Sequence, residues 1–347
     1  MTTSNQAPTT YGLLFSGNFP LHRTLAGARL ADELGFASCW LGEDYFYLGG
    51  IATATAVAER TERIAIGLGI LTPLPRHPAL TVMELGALDL IAEGRVIAGY
   101  GAGVRYWMRQ MDLDYRGPLS AMREAVEITR ELLSGAASNY QGRYFRLHDV
   151  RLGFDPLRSS MPIYLGAEGP KALQLSGEVA DGSILSVLSS PGYLQFAREN
   201  IAIGCERGGR DPRAHRLVVY VILAIDADGA AARDSVRAPI AEYLGAGGEP
   251  SALSTQAGVP DDLVRAMGRI YREEGRFPVE LVDDAVIARV AVAGTPDECA
   301  AGVRRLIAAG ADEIVFFPFP ADSAETVIRR IAADLLPRLH DGKSVSC

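Results

Sequence analysis

Two carboxylates stand side by side in Gly42-Glu43-Asp44, directly after the short apolar run Ser38-Cys39-Trp40-Leu41. An acid delivered to a strand end can orient a bound ring or transfer a proton once burial tunes its pKa. A solvated loop pair or a helix cap is an equally good reading of the same two residues. A second constellation, Gly166-Ala167-Glu168-Gly169-Pro170-Lys171-Ala172, follows another apolar run and opens a helical stretch. Backbone N–H groups at such a helix start bind phosphate, aided by the helix dipole. Gly169 permits close approach and Pro170 suits the first helical position, although an ordinary strand-to-helix turn has the same composition. Tyr100, Arg105, Tyr106 and Trp107 form an aromatic and basic cluster of the kind that lines the pocket of a flat heterocycle or packs on neighbouring structure. Phe316-Phe317-Pro318-Phe319 could wall the same pocket, with core the better reading for Phe316. His77, between Arg76 and Pro78, could be a base, but a cap on the following helix is the plainer role; His22 is ambiguous in the same way.

Absent motifs narrow the chemistry. There is no Walker lysine loop, no GxSxG elbow, no HExxH and no CxxC pair, which removes P-loop, hydrolase-elbow and zincin chemistry. Gly99-Tyr100-Gly101-Ala102-Gly103 does not match GxGxxG, so Rossmann binding is not expected either. Cys39, Cys205, Cys299 and Cys347 are scattered, which predicts reduced thiols of a cytoplasmic protein and no metal site.

Strand-like runs must position these groups, each ending in a small or polar cluster before a helical stretch. They read as Tyr11–Phe15, Ser38–Leu41, Ile64–Leu71, Val96–Gly99, Pro162–Gly166, Ser183–Ser186, Leu217–Ile225 and Glu313–Phe317. Repeated strand–loop–helix units close most naturally into a (β/α)8 TIM barrel, whose reactive groups sit at the C-terminal strand ends. Helices are expected over Leu25–Leu34, ended by Gly35, and over Thr53–Arg60, Ala79–Ile91, Met122–Leu133 and Pro170–Val179. Tyr140–Val150 reads as a hairpin outside the barrel. Residues 226–297, between strands seven and eight, are too many for a plain loop and should hold helices of their own. Gly294-Thr295-Pro296-Asp297 has the composition of a helix start. Residues 1–10 read as a disordered tail and 11–340 as a single domain.

The chain has 347 residues, nearly half of them apolar, and a net charge of −8; its isoelectric point is near 5.3. That balance argues against a nucleic-acid partner. No apolar stretch approaches the length of a membrane span, and Met1–Thr10 lacks the basic and apolar regions of a secretory signal. A cytoplasmic enzyme acting on a small molecule is the reading that composition allows.

Several segments together resemble the bacterial luciferase-like superfamily of flavin and deazaflavin oxidoreductases, and within it the coenzyme F420-dependent methylenetetrahydromethanopterin reductases and their relatives. The similar segments are Gly67–Pro78, Glu93–Gly103, Pro162–Lys171 with Ala180-Asp181-Gly182, Ala291–Pro296 and Ala309–Val315; the match runs from about Tyr11 to Leu336. The resemblance implies a (β/α)8 barrel with a deazaflavin or isoalloxazine ring at its C-terminal mouth. It implies a non-prolyl cis peptide in strand three, here Gly69–Ile70, behind the ring. Implied cofactor contacts are Ser16, Gly69, Ile70, Thr72, Ala102, Gly103, Gly166, Ala167, Glu168, Gly169, Pro170, Lys171 and Ser186. Many relatives carry Asp-His where this chain has Glu43-Asp44, so the catalytic role passes to those two acids. The implied activity is hydride transfer between F420 and a small organic substrate, by a homodimer. The alternatives are an FMN-dependent monooxygenase using reduced flavin from a flavin reductase, and a non-catalytic flavin-binding barrel.

Overall fold

The computed structural model describes residues 8–113 and 116–340. Nine strands form one sheet: β1 (Thr10–Phe15), β2 (Ser38–Leu41), β3 (Ala65–Leu71), β4 (Val96–Tyr100), β5 (Ile163–Gly166), β6 (Gly182–Leu185), β7 (Arg216–Ile225), β8 (Val292–Gly294) and β9 (Glu313–Pro318). Their order is β6-β5-β4-β3-β2-β1-β9-β7-β8, and β6 also pairs with β7. That pairing joins the ends of an eight-strand parallel ring with helices between the strands, so the fold is the expected (β/α)8 barrel. The strands are buried along nearly their whole length, which is why they read as continuous apolar runs rather than alternating ones.

The chain divides into two compact units. The first comprises Leu13–Ile184 and Asn200–Arg216 and holds β2 to β5 with half of β1 and most of β6. In it, Gly67 leaves room for the Trp40 indole, which a Cβ at that glycine would meet at 2.3 Å; the indole lies along Tyr164 with ring centroids 6.1 Å apart. Asp32, at the end of the helix Leu21–Glu33, fixes the approach to β3. Its carboxylate accepts N–H bonds from Glu62, Arg63 and Ile64 at 2.9, 3.0 and 2.8 Å. Gly35, at φ +79°, ends that helix as expected. Beneath the barrel, Ser183 Oγ lies 2.9 Å from His215 Nε2 and donates to Ser176 Oγ at 2.7 Å.

The second unit takes Leu185–Glu199, the segment from Leu217 onward and the start of the chain. The expected insertion after β7 is helical, with helices Gly229–Gly247, Ala252–Gln256, Asp261–Glu274 and Asp284–Val290. It ends earlier than expected, in β8, whose Val292–Gly294 pair with Leu223–Ile225 of β7. This ninth strand adds to the eight of the barrel and was not expected: three residues are too few to show a pattern, and pairing rather than periodicity defines them. Thr295 then caps the helix Pro296–Ala308, with Glu298 reaching back to the Thr295 N–H at 2.7 Å.

Smaller differences follow from tertiary contacts. Tyr140–Val150 forms no continuous hairpin; only the bridges Ser138↔Val150 and Gln141↔Arg146 are present. Three backbone N–H groups, of Arg143, Tyr144 and Phe145, bond to the Glu124 carboxylate instead. Thr10 of the expected tail lies in β1, where its N–H bonds to Asp312 O; residues 1–7 of that tail lie outside the described residues. Among the described residues no helix is long and apolar enough to cross a membrane.

Candidate active site

Glu43 and Asp44 leave β2 together and then part. Glu43 Oε2 accepts the N–H of Gly50 at 2.9 Å, the first residue of the helix Gly50–Ala58, whose cap Gly49 has no side chain to offer. Glu43 Oε1 lies 3.7 Å from Arg76 Nη1. The first carboxylate therefore neutralises a helix start and ties the β2 loop to the β3 loop. Asp44 has a different setting: Ser16 Oγ, at the end of β1, donates to its Oδ2 at 3.4 Å. Burial pushes the Asp44 pKa up, and the Ser16 bond offsets only part of that. Of the two acids, Asp44 is the one poised to hold a proton above the usual carboxylate range.

Between β2 and β4, β3 carries a bulge. Its register with β4 shifts between Leu68 and Leu71, and the Gly69–Ile70 peptide is cis, at the bond marked by the family resemblance. Ile70 turns its side chain into space kept by two glycines. A Cβ on Gly101 would stand 2.6 Å from Ile70 Cδ1, and one on Gly166 would stand 2.9 Å from Cγ2. Thr72, buried just beyond the strand, touches Gly103 in the same way: a Cβ there would lie 2.8 Å from Thr72 Oγ1, and φ is +71°. Ala102 beside it is half-buried.

At the end of β5, Gly166 is half-buried and Ala167 is buried, its N–H reaching Ile184 O at 3.3 Å. Glu168, Pro170 and Lys171 are exposed. Gly169 is the N-cap of the helix Pro170–Val179, without a side-chain cap and with no acid in the first turn. A Cβ on Gly169 would meet nothing within 4 Å. An open, uncapped helix start flanked by an exposed lysine suits an anion. Ser186 lies one residue beyond β6 rather than inside it, exposed, in the second unit; its carbonyl accepts from Ser189 Oγ at 2.6 Å.

The remaining candidates separate. His77 caps the helix Pro78–Ile91, its Nδ1 accepting the Ala79 N–H at 3.1 Å, and its ring meets Phe145 edge-on at 5.2 Å. Tyr100 corrects the aromatic cluster. It is fully buried and bonded to Thr129 Oγ1 at 2.9 Å, with its pKa pushed up to about 12 by burial, so it belongs to the packing behind β4. Trp107 instead meets Tyr45 and Tyr47 edge-on, at 6.1 and 6.4 Å, and Arg105 and Tyr106 are exposed. Phe316 is fully buried and stacked on Tyr11 at 6.1 Å, as a core residue should be. Arg76 and Gly101 were not singled out from sequence; the alternation of small and large side chains between β3 and its neighbours was the available signal for Gly101, and Arg76 had none. Among the described residues no group of three His, Cys, Asp or Glu side chains could hold a metal ion.

A parallel barrel with a bulged third strand backed by glycines, a shielded carboxyl at the second and an open helix start after the fifth has the architecture of a ring-cofactor enzyme. The chain belongs to the luciferase-like monooxygenase family, whose model matches residues 1–313. It is 31% identical over 335 residues to a 5,10-methylenetetrahydromethanopterin reductase of Archaeoglobus fulgidus, covering 95% of this chain and 99% of the relative. It is 28% identical to an F420-dependent glucose-6-phosphate dehydrogenase of Amycolatopsis mediterranei, covering 89% of this chain and 92% of that one. In fold it is similar to the coenzyme F420-dependent tetrahydromethanopterin reductase of Methanopyrus kandleri, with a TM-score of 0.88 at 24% identity over 96% of this chain and all of that one.

Proposed function

We propose that this luciferase-like oxidoreductase uses coenzyme F420 to move hydride to or from a small organic substrate. The observation that carries the reading is the Gly169–Lys171 turn: an uncapped helix start with no acid in its first turn and open volume over Gly169, in a chain related along nearly its whole length to an F420-dependent enzyme. The residues fit such a group. The helix start and Lys171 would hold an anionic tail, with Ala102 and Gly103 nearby in the β4 loop, and Gly166, Ala167 and Glu168 leading into the turn. Gly69 and Ile70 would back the ring, braced by Gly101 and Gly166, with Thr72 and Ser16 at neighbouring strand ends.

When bound, the deazaflavin supplies a carbon that accepts or gives hydride. This chain's own contribution is proton handling and position. Asp44, its carboxyl raised by burial, takes the hydroxyl proton of a substrate being oxidised or returns one to a carbonyl being reduced. Glu43, engaged by Gly50 and Arg76, holds the loop that carries Asp44.

The reading extends to a homodimer in the cytoplasm. Leu80, Met83, Leu90 and Ile91 are exposed on one helix, Pro78–Ile91, a stripe that a second copy would cover. Cys39, Cys205 and Cys299 are buried thiols that form no disulfide among the described residues, as suits a reducing compartment.

The test is a titration of the purified protein with F420 and with FMN, each oxidised and reduced. F420 should bind at least about tenfold more tightly, a difference of about 1.4 kcal/mol. Tighter binding of reduced FMN, with oxygen consumption once a flavin reductase is added, would overturn this in favour of the monooxygenase. Ring binding without turnover of any alcohol or carbonyl would favour the non-catalytic barrel.

A further inference from the structure

The loops after β2 and β4 flank the bulge of β3, because the three strands are parallel neighbours and end at the same edge. Both loops are aromatic. Trp107 joins them, lying edge-on to Tyr45 at 71° and to Tyr47 at 70°. The surface begins one residue beyond Asp44, and its outer members face solvent: Phe46 is 65% exposed, Tyr47 54% and Tyr106 66%, with Leu48 and Val104 beside them. Phe46 holds its ring out from a backbone at φ +71°, a conformation that a bulky residue rarely adopts and that glycine or asparagine would take more readily. From Tyr45 to Gly49 there is no charged side chain, and the only polar side-chain atoms are two phenol oxygens.

We propose that this rim is the substrate-recognition surface of the enzyme and that it selects a substrate bearing a flat apolar ring, an aryl or fused-ring alcohol or carbonyl. The inference rests on the hydride-transfer reading above for the location of the reacting carbon. Exposed aromatic faces and edges match a second ring and gain more from it than from an aliphatic chain of similar size. The Tyr45–Gly49 run offers a sugar phosphate no cation. Arg105 and Arg109 are exposed on the adjoining short helix Arg105–Gln110, so glucose 6-phosphate is the competing ligand that the test includes.

The protein supplies its own reporter. Of the two tryptophans, Trp40 is fully buried in the barrel, so a ligand on the rim should alter the emission of Trp107 alone. The experiment titrates the protein, alone and saturated with F420, with 1-phenylethanol, 2-propanol and glucose 6-phosphate while tryptophan emission is followed. F420 binding is read separately from the coenzyme's own emission. Phenylethanol should change the emission saturably, with 2-propanol and glucose 6-phosphate inert at the same concentrations. Phe46→Ala and Tyr106→Ala should each raise the phenylethanol midpoint about three- to tenfold, since one aromatic pair is worth about that much. Both side chains are exposed, so unchanged melting curves should accompany the loss. A response to glucose 6-phosphate or 2-propanol at comparable concentrations would overturn the proposal, as would a phenylethanol midpoint that neither substitution moves. If F420 fails to bind while the ring-selective response persists, the hydride reading falls and the rim stands.

Discussion

Gly101→Ala tests the construction of the bulged strand β3 directly. The new methyl group would stand 2.6 Å from Ile70 Cδ1, 2.7 Å from Cγ1 and 3.1 Å from Cβ, about 1 Å inside ordinary carbon–carbon contact. Ile70 has no room to swing away on the β5 side, where a Cβ on Gly166 would already meet its Cγ2 at 2.9 Å. Overpacking of this kind costs about 1–3 kcal/mol. Ile70→Ala removes the Cγ1 and Cδ1 atoms that clash, at its own cost of about 2 kcal/mol for a partly exposed side chain. The double variant should then be more stable than the sum of the two single effects by at least about 1 kcal/mol. Urea unfolding of the four proteins measures this, and F420 affinity in the same series reports whether the ring support has moved. Wild-type stability in Gly101→Ala, or additivity within about 0.5 kcal/mol, would show that the glycine is not reserved for Ile70.

Asp44→Asn should lower turnover about a hundredfold and abolish the limb of the pH–rate profile that Asp44 sets; the wild-type limb should lie above the usual carboxylate range, since burial raises this pKa. The linked stability term has the same sign: it is present at low pH and lost as pH rises through the raised pKa, and the asparagine variant should lack that slope. Lys171→Ala should weaken F420 binding about fivefold and flatten its salt dependence, whereas Gly169→Ala, with nothing within 4 Å of its Cβ, should leave stability unchanged and weaken binding if the tail occupies that space. Asp32→Ala should destabilise the protein by about 3 kcal/mol, because it orphans three N–H groups at 2.8–3.0 Å. Burial acts to raise the Asp32 pKa, but those bonds outweigh it and the net shift is downward. Its contribution should therefore be full above the usual carboxylate range, shrink as pH falls through that range and vanish below the depressed pKa, which acid titration of the melting temperature in wild type and variant would detect.

The barrel was legible because parallel strands covered on both faces must be apolar throughout, and because helix ends obey local rules. Gly35, the helix start at Gly294–Asp297 and the His77 cap could all be anticipated from neighbours in sequence. What escaped prediction depends on partners far along the chain. β8 exists only because Leu223–Ile225 present it with a free edge. The helix at Gly50 starts three residues before the expected Thr53, because the acid that serves its first N–H comes from Glu43, outside any capping pattern. Tyr100 looked like a pocket residue because an all-apolar strand hides which of its alternate positions face inward.

The paired acids make the same point about the site itself. Adjacent in sequence at the end of β2, Glu43 and Asp44 had equal claims to the chemistry, and composition offers no way to rank them. Once the loop is built, one carboxylate is committed to a helix N-terminus and an arginine. The other keeps a single serine donor in a desolvated setting that favours its protonated form. Two neighbouring carboxylates with such different partners can divide the work between holding a loop and moving a proton. Exchanging the two residues, Glu43→Asp with Asp44→Glu, preserves charge and composition yet shortens the reach to Gly50 and lengthens the acid near Ser16. It should therefore cost more activity than either single exchange, and equal loss from all three variants would remove the division of labour.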